Sequence, residues 1–198
     1  MLKKIMRLAL TPLLVLGLTF SGFGMAFASP EPEEELSEIQ IREKLDEIND
    51  RYELGEELSE EDASFVMEHF GSPSEKSVQP MSSFHKTYSG SYGSVEGFGF
   101  IKGDIGYFGG SFNGLINVQT PDLSKRSSLG VEVRVSAYGI LGSGGVGKIF
   151  DRTYTETNKD VNYISHSFGD SISGVGVSAT AYSFVGYVDG NSFNLYEN

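Results

Sequence analysis

The stretch Leu129–Val188 constrains the fold most strongly, because it is long, rich in glycine, serine and valine, and patterned at period two. One set of small apolar residues occupies every other position at its start: Val131, Val133, Val135 and Ala137. A second set alternates in the same way near its end: Val175, Val177, Ala179 and Ala181. Successive side chains of a strand point to opposite faces, so each set lies on one face of a pleated strand. The stretch therefore predicts several antiparallel β-strands.

Further strand candidates, separated by turn signals, extend the β-rich region over residues 84–198. Gly109-Gly110 and Asp189-Gly190 are hairpin-type dipeptides, whereas Pro121–Ser124 and Asn158–Asp160 are predicted loops. About eight or nine short strands without an intervening helical pattern predict an antiparallel β-sandwich or small barrel. The predicted strands are Phe84–Tyr92, Val95–Ile101, Ile105–Phe108, Ser111–Gln119, Leu129–Leu141, Val146–Thr157, Val161–Phe168, Ser173–Val188 and Ser192–Tyr196.

Glycine recurs inside these strands, as in Gly97-Phe98-Gly99-Phe100. A strand glycine costs backbone entropy and packs nothing itself. Three interpretations follow: a strongly curved sheet in which aromatic rings cover the glycines, a surface that meets another molecule through tyrosine and serine, or a membrane-inserting hairpin. Leu129–Leu141 and Val146–Thr157 would form that hairpin. The return strand alternates poorly and carries four charged residues: Lys148, Asp151, Arg152 and Glu156. An ordinary half-buried strand is therefore the simpler interpretation.

An acidic helical hairpin is predicted before the β-domain, within residues 29–71. Leu36–Glu53 carries one apolar stripe formed by Ile41, Leu45, Ile48 and Tyr52. Ser59 is a predicted N-cap, and Gly71 followed by Pro73 ends the second helix. Two short helices cannot bury their stripes by themselves. We therefore expect the hairpin to pack on its own β-domain, to be a removable pro-segment, or to dock another protein.

Residues 1–28 have the pattern of a secretory signal peptide, in which a basic start precedes the apolar run Leu8–Phe23. The small residues Ala26 and Ala28 predict cleavage before Ser29. The expected location is outside the cell, with retention at the cell wall as a variant of it. Because the chain has no cysteine, its stability must come from packing, strand pairing or a bound ligand rather than from disulfides.

The acidity of the chain is concentrated in the predicted hairpin. Residues 29–72 hold 16 acidic residues against three basic ones, whereas residues 84–198 hold 10 acidic and 8 basic residues. Such a segment repels nucleic acid and anionic lipid, so neither is an expected partner of the intact mature protein. Residues 72–83 are a predicted Ser/Pro linker between the two parts.

Two short motifs resemble known functional patterns but lack the residues that those functions need. Gly142–Lys148 matches a phosphate-binding loop up to Ile149, where a serine or threonine should bind Mg²⁺. Gly169-Asp170-Ser171 resembles the serine motif of serine proteases, without the following Gly-Gly or an assembled base. Both are interpreted as turns. The histidines are too few for a transition-metal site: His69, His85 and His166. We therefore expect no catalytic, cofactor-binding or metal-binding residues and no enzymatic activity.

The overall plan resembles that of small exported proteins of Gram-positive bacteria: signal peptide, acidic hairpin, linker and Gly/Ser-rich β-domain. The predicted function is that of a non-enzymatic secreted or cell-envelope-associated protein. Its β-domain would bind a protein or cell-surface component, or self-assemble. The alternative is a secreted bacteriocin- or toxin-like membrane-active effector with the helical segment as its pro-region. The candidate partner-binding residues are Tyr88, Tyr92, Tyr138 and Tyr182, as adaptable surface contacts.

Overall fold

The computed structural model describes residues 36–71 and 82–198, and this part of the chain forms two helices followed by eight strands. The predicted signal peptide, with Ala26, Ala28 and Ser29 at its cleavage site, lies outside the described residues, as does most of the predicted linker. The helices are α1 (Glu38–Arg51) and α2 (Glu60–Phe70). The strands are β1 (Ser82–Tyr92), β2 (Val95–Gly106), β3 (Gly109–Gln119), β4 (Arg126–Ile140), β5 (Val146–Val161), β6 (Tyr163–Ser173), β7 (Val177–Val188) and β8 (Asn191–Glu197).

The strands form a nearly closed antiparallel barrel with the order β5-β4-β7-β8-β1-β2-β3-β6. This confirms the predicted fold class, a β-domain of sandwich or barrel type preceded by a helical hairpin. The predicted strands Val95–Ile101 and Ile105–Phe108 merge into one strand that ends at Gly106, because β2 keeps its pairing with β1 through Ile105 and with β3 through Gly106. Strand β1 begins at Ser82, two residues before the predicted start.

The turn predictions were right in the β7–β8 hairpin and at Pro121–Ser124, which lies between β3 and β4, and wrong in two other places. Asp189 and Gly190 join β7 to β8 with φ values of 50° and 87°, which suits a hairpin turn that needs positive φ at both positions. Gly109-Gly110 instead starts β3, and the turn before it is Tyr107-Phe108. Asn158–Asp160, predicted as a loop, belongs to β5 because these residues still pair with β4 or continue the strand to its end.

Apolar side chains fill the barrel interior. Val131, Val133 and Val135 of β4 are fully buried there, together with Ile101 of β2 and Ile116 of β3. The first alternating set therefore faces the core, as its period of two predicts. The interior of the barrel is therefore a packed hydrophobic core.

Glycines on the inner faces of β2 and β3 make room for aromatic rings from other strands. A Cβ atom at Gly99 would lie 2.7 Å from the ring of Phe184, and one at Gly114 would overlap the ring of Phe168. These rings occupy the space that the glycines leave, which confirms that aromatic side chains cover strand glycines. Because the glycines face inward, the alternate positions of β2 turn outward, and Phe98 is one of them.

The helical hairpin packs against the outer faces of β4 and β7. Ser37 and Ser59 cap the two helices through their side-chain oxygens, and Gly71 ends α2 in an extended conformation with φ −64°. The buried residues of this helix–barrel interface are Leu45, Ile48, Leu58, Phe65, Val66, Tyr138, Ala179 and Ala181. The described structure shows the hairpin packed on its own β-domain, and its removal as a pro-segment and its docking to another protein stay predictions.

Candidate functional site

Two of the four candidate partner-binding tyrosines, Tyr88 and Tyr182, face the barrel interior. Tyr88 stacks on Phe184 with 4.2 Å between ring centroids, and Tyr182 stacks on Phe84 at 5.6 Å. Burial raises the pKa of the Tyr182 hydroxyl to about 12. This hydroxyl is therefore neutral and donates to Thr180 Oγ1 at 3.0 Å. Both tyrosines contribute to the internal packing of the barrel.

The other two candidate tyrosines lie in different surroundings. Tyr138 is completely buried beneath α1, where its hydroxyl donates to Asn49 Oδ1 at 2.7 Å. Tyr92 lies at the turn between β1 and β2 and is 48% exposed. The structure thus does not bring the four tyrosines together, and a partner contact at Tyr92 stays a prediction.

A network of charges joins α1 to the outer face of β4 and β5. Arg134 donates to the two carboxylate oxygens of Asp151 at 3.0 and 2.9 Å, and to Asp50 of α1 at 3.0 Å. Lys148, which is 4% exposed, donates to Asp151 at 2.9 Å and to the carbonyl oxygen of Asn49 at 2.7 Å. Lys148 is the last residue of the sequence that resembles a phosphate-binding loop, and its ammonium group is hydrogen-bonded to other residues of the protein.

The protonation state of Asp151 follows from these contacts. Burial by itself would raise the pKa of Asp151, but hydrogen bonds from Arg134 and Lys148 outweigh that effect and hold the pKa below its usual value. The Asp151 carboxylate is thus ionised at neutral pH and is shared by two cations. This cluster attaches the hairpin to the barrel.

Titratable side chains also meet along the seam between the two edge strands, β5 and β6. Arg152 Nη1 lies 2.5 Å from Asp170 Oδ2, and His166 Nδ1 lies 2.8 Å from Glu156 Oε2. Asp170 and Ser171 lie within β6 rather than in the predicted turn. Because alternate residues of a strand face opposite ways, Ser171 and His166 lie on opposite faces of β6. The seam is bridged by the Arg152–Asp170 ion pair and by the His166–Glu156 contact, and the serine and histidine are not brought together as nucleophile and base.

An exposed aromatic surface lies on the other side of the barrel from the helices, since β2 and β3 are half the strand order away from β4 and β7. Two adjacent rows of outward-facing residues cross β1, β2, β3 and β6 in register. These eight residues are termed the aromatic face: Thr87, Phe100, Leu115 and Ser167 in one row, and Ser89, Phe98, Asn117 and Ser165 in the next.

The centre of the aromatic face is open and shallow. Phe98 is 43% exposed, and Phe100 and Leu115 are partly buried beside it. A depression of about 260 Å³ lies among these residues, with His85 and Asn198 also in its lining. Enclosed small-molecule pockets occupy roughly 300–1,000 Å³. The depression is smaller than such pockets and open to solvent.

The aromatic face differs in charge from the helical side of the molecule. All eight of its residues are uncharged, and the flanking Lys102 places its ammonium group 5.9 Å from the centroid of the Phe100 ring. Glu96 and Asp104 lie on β2 beyond the two rows. Residues 36–71, on the helical side, contain 12 acidic and three basic residues. One side of the protein is therefore strongly acidic, whereas the other presents aromatic rings among hydroxyl and amide groups.

Reasoning from the sequence did not select Phe98 and Phe100 as surface residues. Their alternation with Gly97 and Gly99 was a usable signal, because one face of this strand has to carry the rings and the other the glycines. An apolar pattern normally places the larger side chains inward. The reversal depends on the rings of other strands, which fill the inner side.

Within residues 36–71 and 82–198, no three His, Asp or Glu side chains are grouped so that they could hold a metal ion. Neither helix of this part of the chain has the length and apolar character needed to cross a membrane. No family model matches the chain, and no curated protein matches it. The functional proposal below therefore rests on the structure of the protein.

Proposed function

We propose that the protein is a non-enzymatic, secreted or cell-envelope-associated binding protein that contacts its partner through the aromatic face. The exposure of Phe98 beside Phe100 and Leu115 carries this proposal. Neighbouring apolar side chains that are exposed and rimmed by polar groups are typical of an interaction site. Serine and asparagine contacts next to rigid aromatic rings are also typical of binding surfaces that use few charges.

The helical hairpin has a structural and solubilising role in this proposal. It covers Tyr138, Ala179 and Ala181 on the outside of the barrel, and its charged network fixes it there. Its many carboxylates repel other copies of the protein and other acidic molecules. The acidic side therefore discourages non-specific contacts and leaves the aromatic face as the binding surface.

Co-sedimentation with isolated Gram-positive cell envelopes tests this function. The wild-type protein is compared with the double variant Phe98→Ala and Phe100→Ala, and with Phe108→Ala as a matched control. Phe108 is 70% exposed at the β2–β3 turn and lies outside the aromatic face. We expect the double variant to lose retention and the control to keep it, with all three proteins folded by circular dichroism. Equal retention of the three proteins, or no retention of the wild type, would contradict the proposed function.

A membrane-active effector is the second candidate, favoured by exposed apolar side chains on adjoining turns at one end of the barrel: Phe108, Ile140 and Val175. The backbone N–H of Ile140 donates to the carbonyl oxygen of Gly176 at 3.2 Å, which joins two of these turns. Dye leakage from liposomes, with the helical segment present and after its removal, tests this candidate. Here Phe108→Ala should abolish the effect and the double variant should not, the reverse of the envelope result.

A further inference from the structure

Building on the proposed function, we infer that the partner of the aromatic face is an uncharged polysaccharide chain, with the glycan strands of a cell wall as its source. Three properties of the face point to this chemistry. It offers two aromatic rings side by side, it surrounds them with groups that both donate and accept hydrogen bonds, and its eight residues are uncharged.

Phe98 and Phe100 share the outward face of β2 and form the platform of this proposal, and the His85 ring packs edge-on against Phe100 with 5.8 Å between centroids. Phe98 and Phe100 are two residues apart on an extended strand, so their Cα atoms are roughly 6.6 Å apart along β2. Leu115 is paired with Phe100 and continues the apolar surface onto β3. A pyranose ring has apolar faces made of C–H groups, and these faces can stack on the electron-rich face of an aromatic ring. Two rings in line therefore suit consecutive units of a chain.

Polar groups border the platform on both sides. Asn117 is paired with Phe98 on β3, and Ser165 and Ser167 follow on β6, whereas Thr87 and Ser89 lie on β1. A carboxamide offers donors and an acceptor, and a serine hydroxyl can do both. Sugar hydroxyls also donate and accept, so these groups match the edges of pyranose rings that stack on the phenylalanines.

The charges of the protein favour a neutral polysaccharide over the other polymers of a cell envelope. An anionic polymer would meet one flanking cation, Lys102, on a molecule whose opposite side is strongly acidic. Such a polymer is repelled at a distance by the net negative charge of the protein, and its binding changes with salt because salt screens these charges. A protein partner of ordinary interface size would bury about 800 Å² on each side, usually with arginine at the contact. The central depression is shallow and lined mainly by neutral groups, which fits a neutral chain better.

The test titrates the protein, obtained by expressing the full chain, with chitohexaose and with cellohexaose. Binding is followed by calorimetry and by NMR shifts of backbone amides. We expect saturable binding of at least one oligosaccharide, with shifts centred on β2 and β3 around Phe98 and Asn117. Binding should be the same at low and high salt, since screening does not act on a neutral ligand. Phe98→Ala should weaken it by about tenfold, whereas Phe108→Ala should leave it unchanged.

Parallel envelope experiments separate a failure of this inference from a failure of the proposed function. Envelopes digested with a muramidase should no longer retain the protein, whereas protease-treated envelopes should. A protein partner would be identified if retention survives muramidase, disappears after protease treatment and still requires Phe98. In that case the glycan inference would be wrong, although the proposed binding function would stand. Oligosaccharide binding that Phe98→Ala does not weaken would also overturn the inference.

Discussion

Replacing Asp151 by asparagine removes the carboxylate on which two cations of the helix–barrel junction converge. Arg134 donates to both of its oxygens and Lys148 donates to one of them, at 2.9 to 3.0 Å. Asparagine has nearly the same shape but no charge, and one of its two polar atoms is a donor. The buried Lys148 ammonium would still have the carbonyl oxygen of Asn49, at 2.7 Å, but would lose its counter-charge.

The expected cost follows from burial. Removing one partner of a buried ion pair typically destabilises a protein by about 3–5 kcal/mol. The side chain of Lys148 is 5% exposed, but that of Asp151 is 18% exposed, and Arg134 keeps Asp50 as a partner. We therefore expect Asp151→Asn to lower the free energy of unfolding by about 3 kcal/mol, near the lower end of this range. For a folded unit of this size, 1 kcal/mol shifts the midpoint of thermal unfolding by roughly 2–4 °C, so the midpoint should fall by roughly 6–12 °C.

Thermal unfolding followed by far-ultraviolet circular dichroism at pH 7 measures this loss. The double variant Lys148→Met and Asp151→Asn should recover part of it, because the ammonium that lost its counter-charge is also gone. Glu61→Gln serves as the control. Glu61 pairs with Lys44 at 3.1 Å, but its side chain is 83% exposed, so its removal should leave the midpoint nearly unchanged.

The effect should also depend on pH in a direction set by the lowered pKa of Asp151. A carboxyl group whose folded pKa lies below its ordinary value of 3.8 contributes its full stabilisation above that value. The contribution disappears as the pH falls through the folded pKa, so the wild type and Asp151→Asn should converge in acid. A loss below about 1 kcal/mol at pH 7, far under the range for a buried pair, or a difference that persists unchanged in acid, would refute the reasoning.

Three further predictions concern the same structure. Tyr138→Phe removes the buried hydrogen bond to α1 and should cost about 1–2 kcal/mol in urea unfolding; an unchanged midpoint would mean that water replaces it. Gly114→Ala should destabilise the barrel because its Cβ would overlap a backbone oxygen of β2, whereas Gly142→Ala, with open space around it, should not; equal midpoints would contradict the packing argument. Residues 82–198 expressed alone should bind more of the dye ANS and unfold at lower temperature, since the outer faces of β4 and β7 lose their cover; a stability equal to that of the full chain would show that the hairpin is dispensable.

Local signals in the sequence predicted the elements of the fold well. The alternation of Val131, Val133 and Val135 identified a strand with one buried face, because the period of two is a property of the extended backbone. Ser59 identified the start of α2, since its side chain accepts from a first-turn amide. Asp189-Gly190 identified a hairpin turn, because it needs positive φ. Each of these signals depends only on neighbours in the chain.

Predictions that depended on the environment of a side chain were less successful. Tyr88 and Tyr138 were candidate surface contacts, yet one stacks in the core and the other lies under α1. The sequence shows that tyrosine has an apolar ring and a polar hydroxyl, but the neighbours of each ring come from distant segments. Asn158–Asp160 similarly has the composition of a loop, and pairing with β4 extends β5 through most of it.

The sequence by itself determined that the described part of the chain contains an acidic helical hairpin followed by antiparallel strands, because periodicity, caps and turns are local properties. The tertiary structure decided the strand order and which face of β2 points inward. Phe184 and Phe168 arrive from β7 and β6 to fill the space beside Gly99 and Gly114, and the ring of Phe98 is thereby turned to the outside. The candidate binding surface exists because long-range packing reversed the usual inward preference of an aromatic side chain.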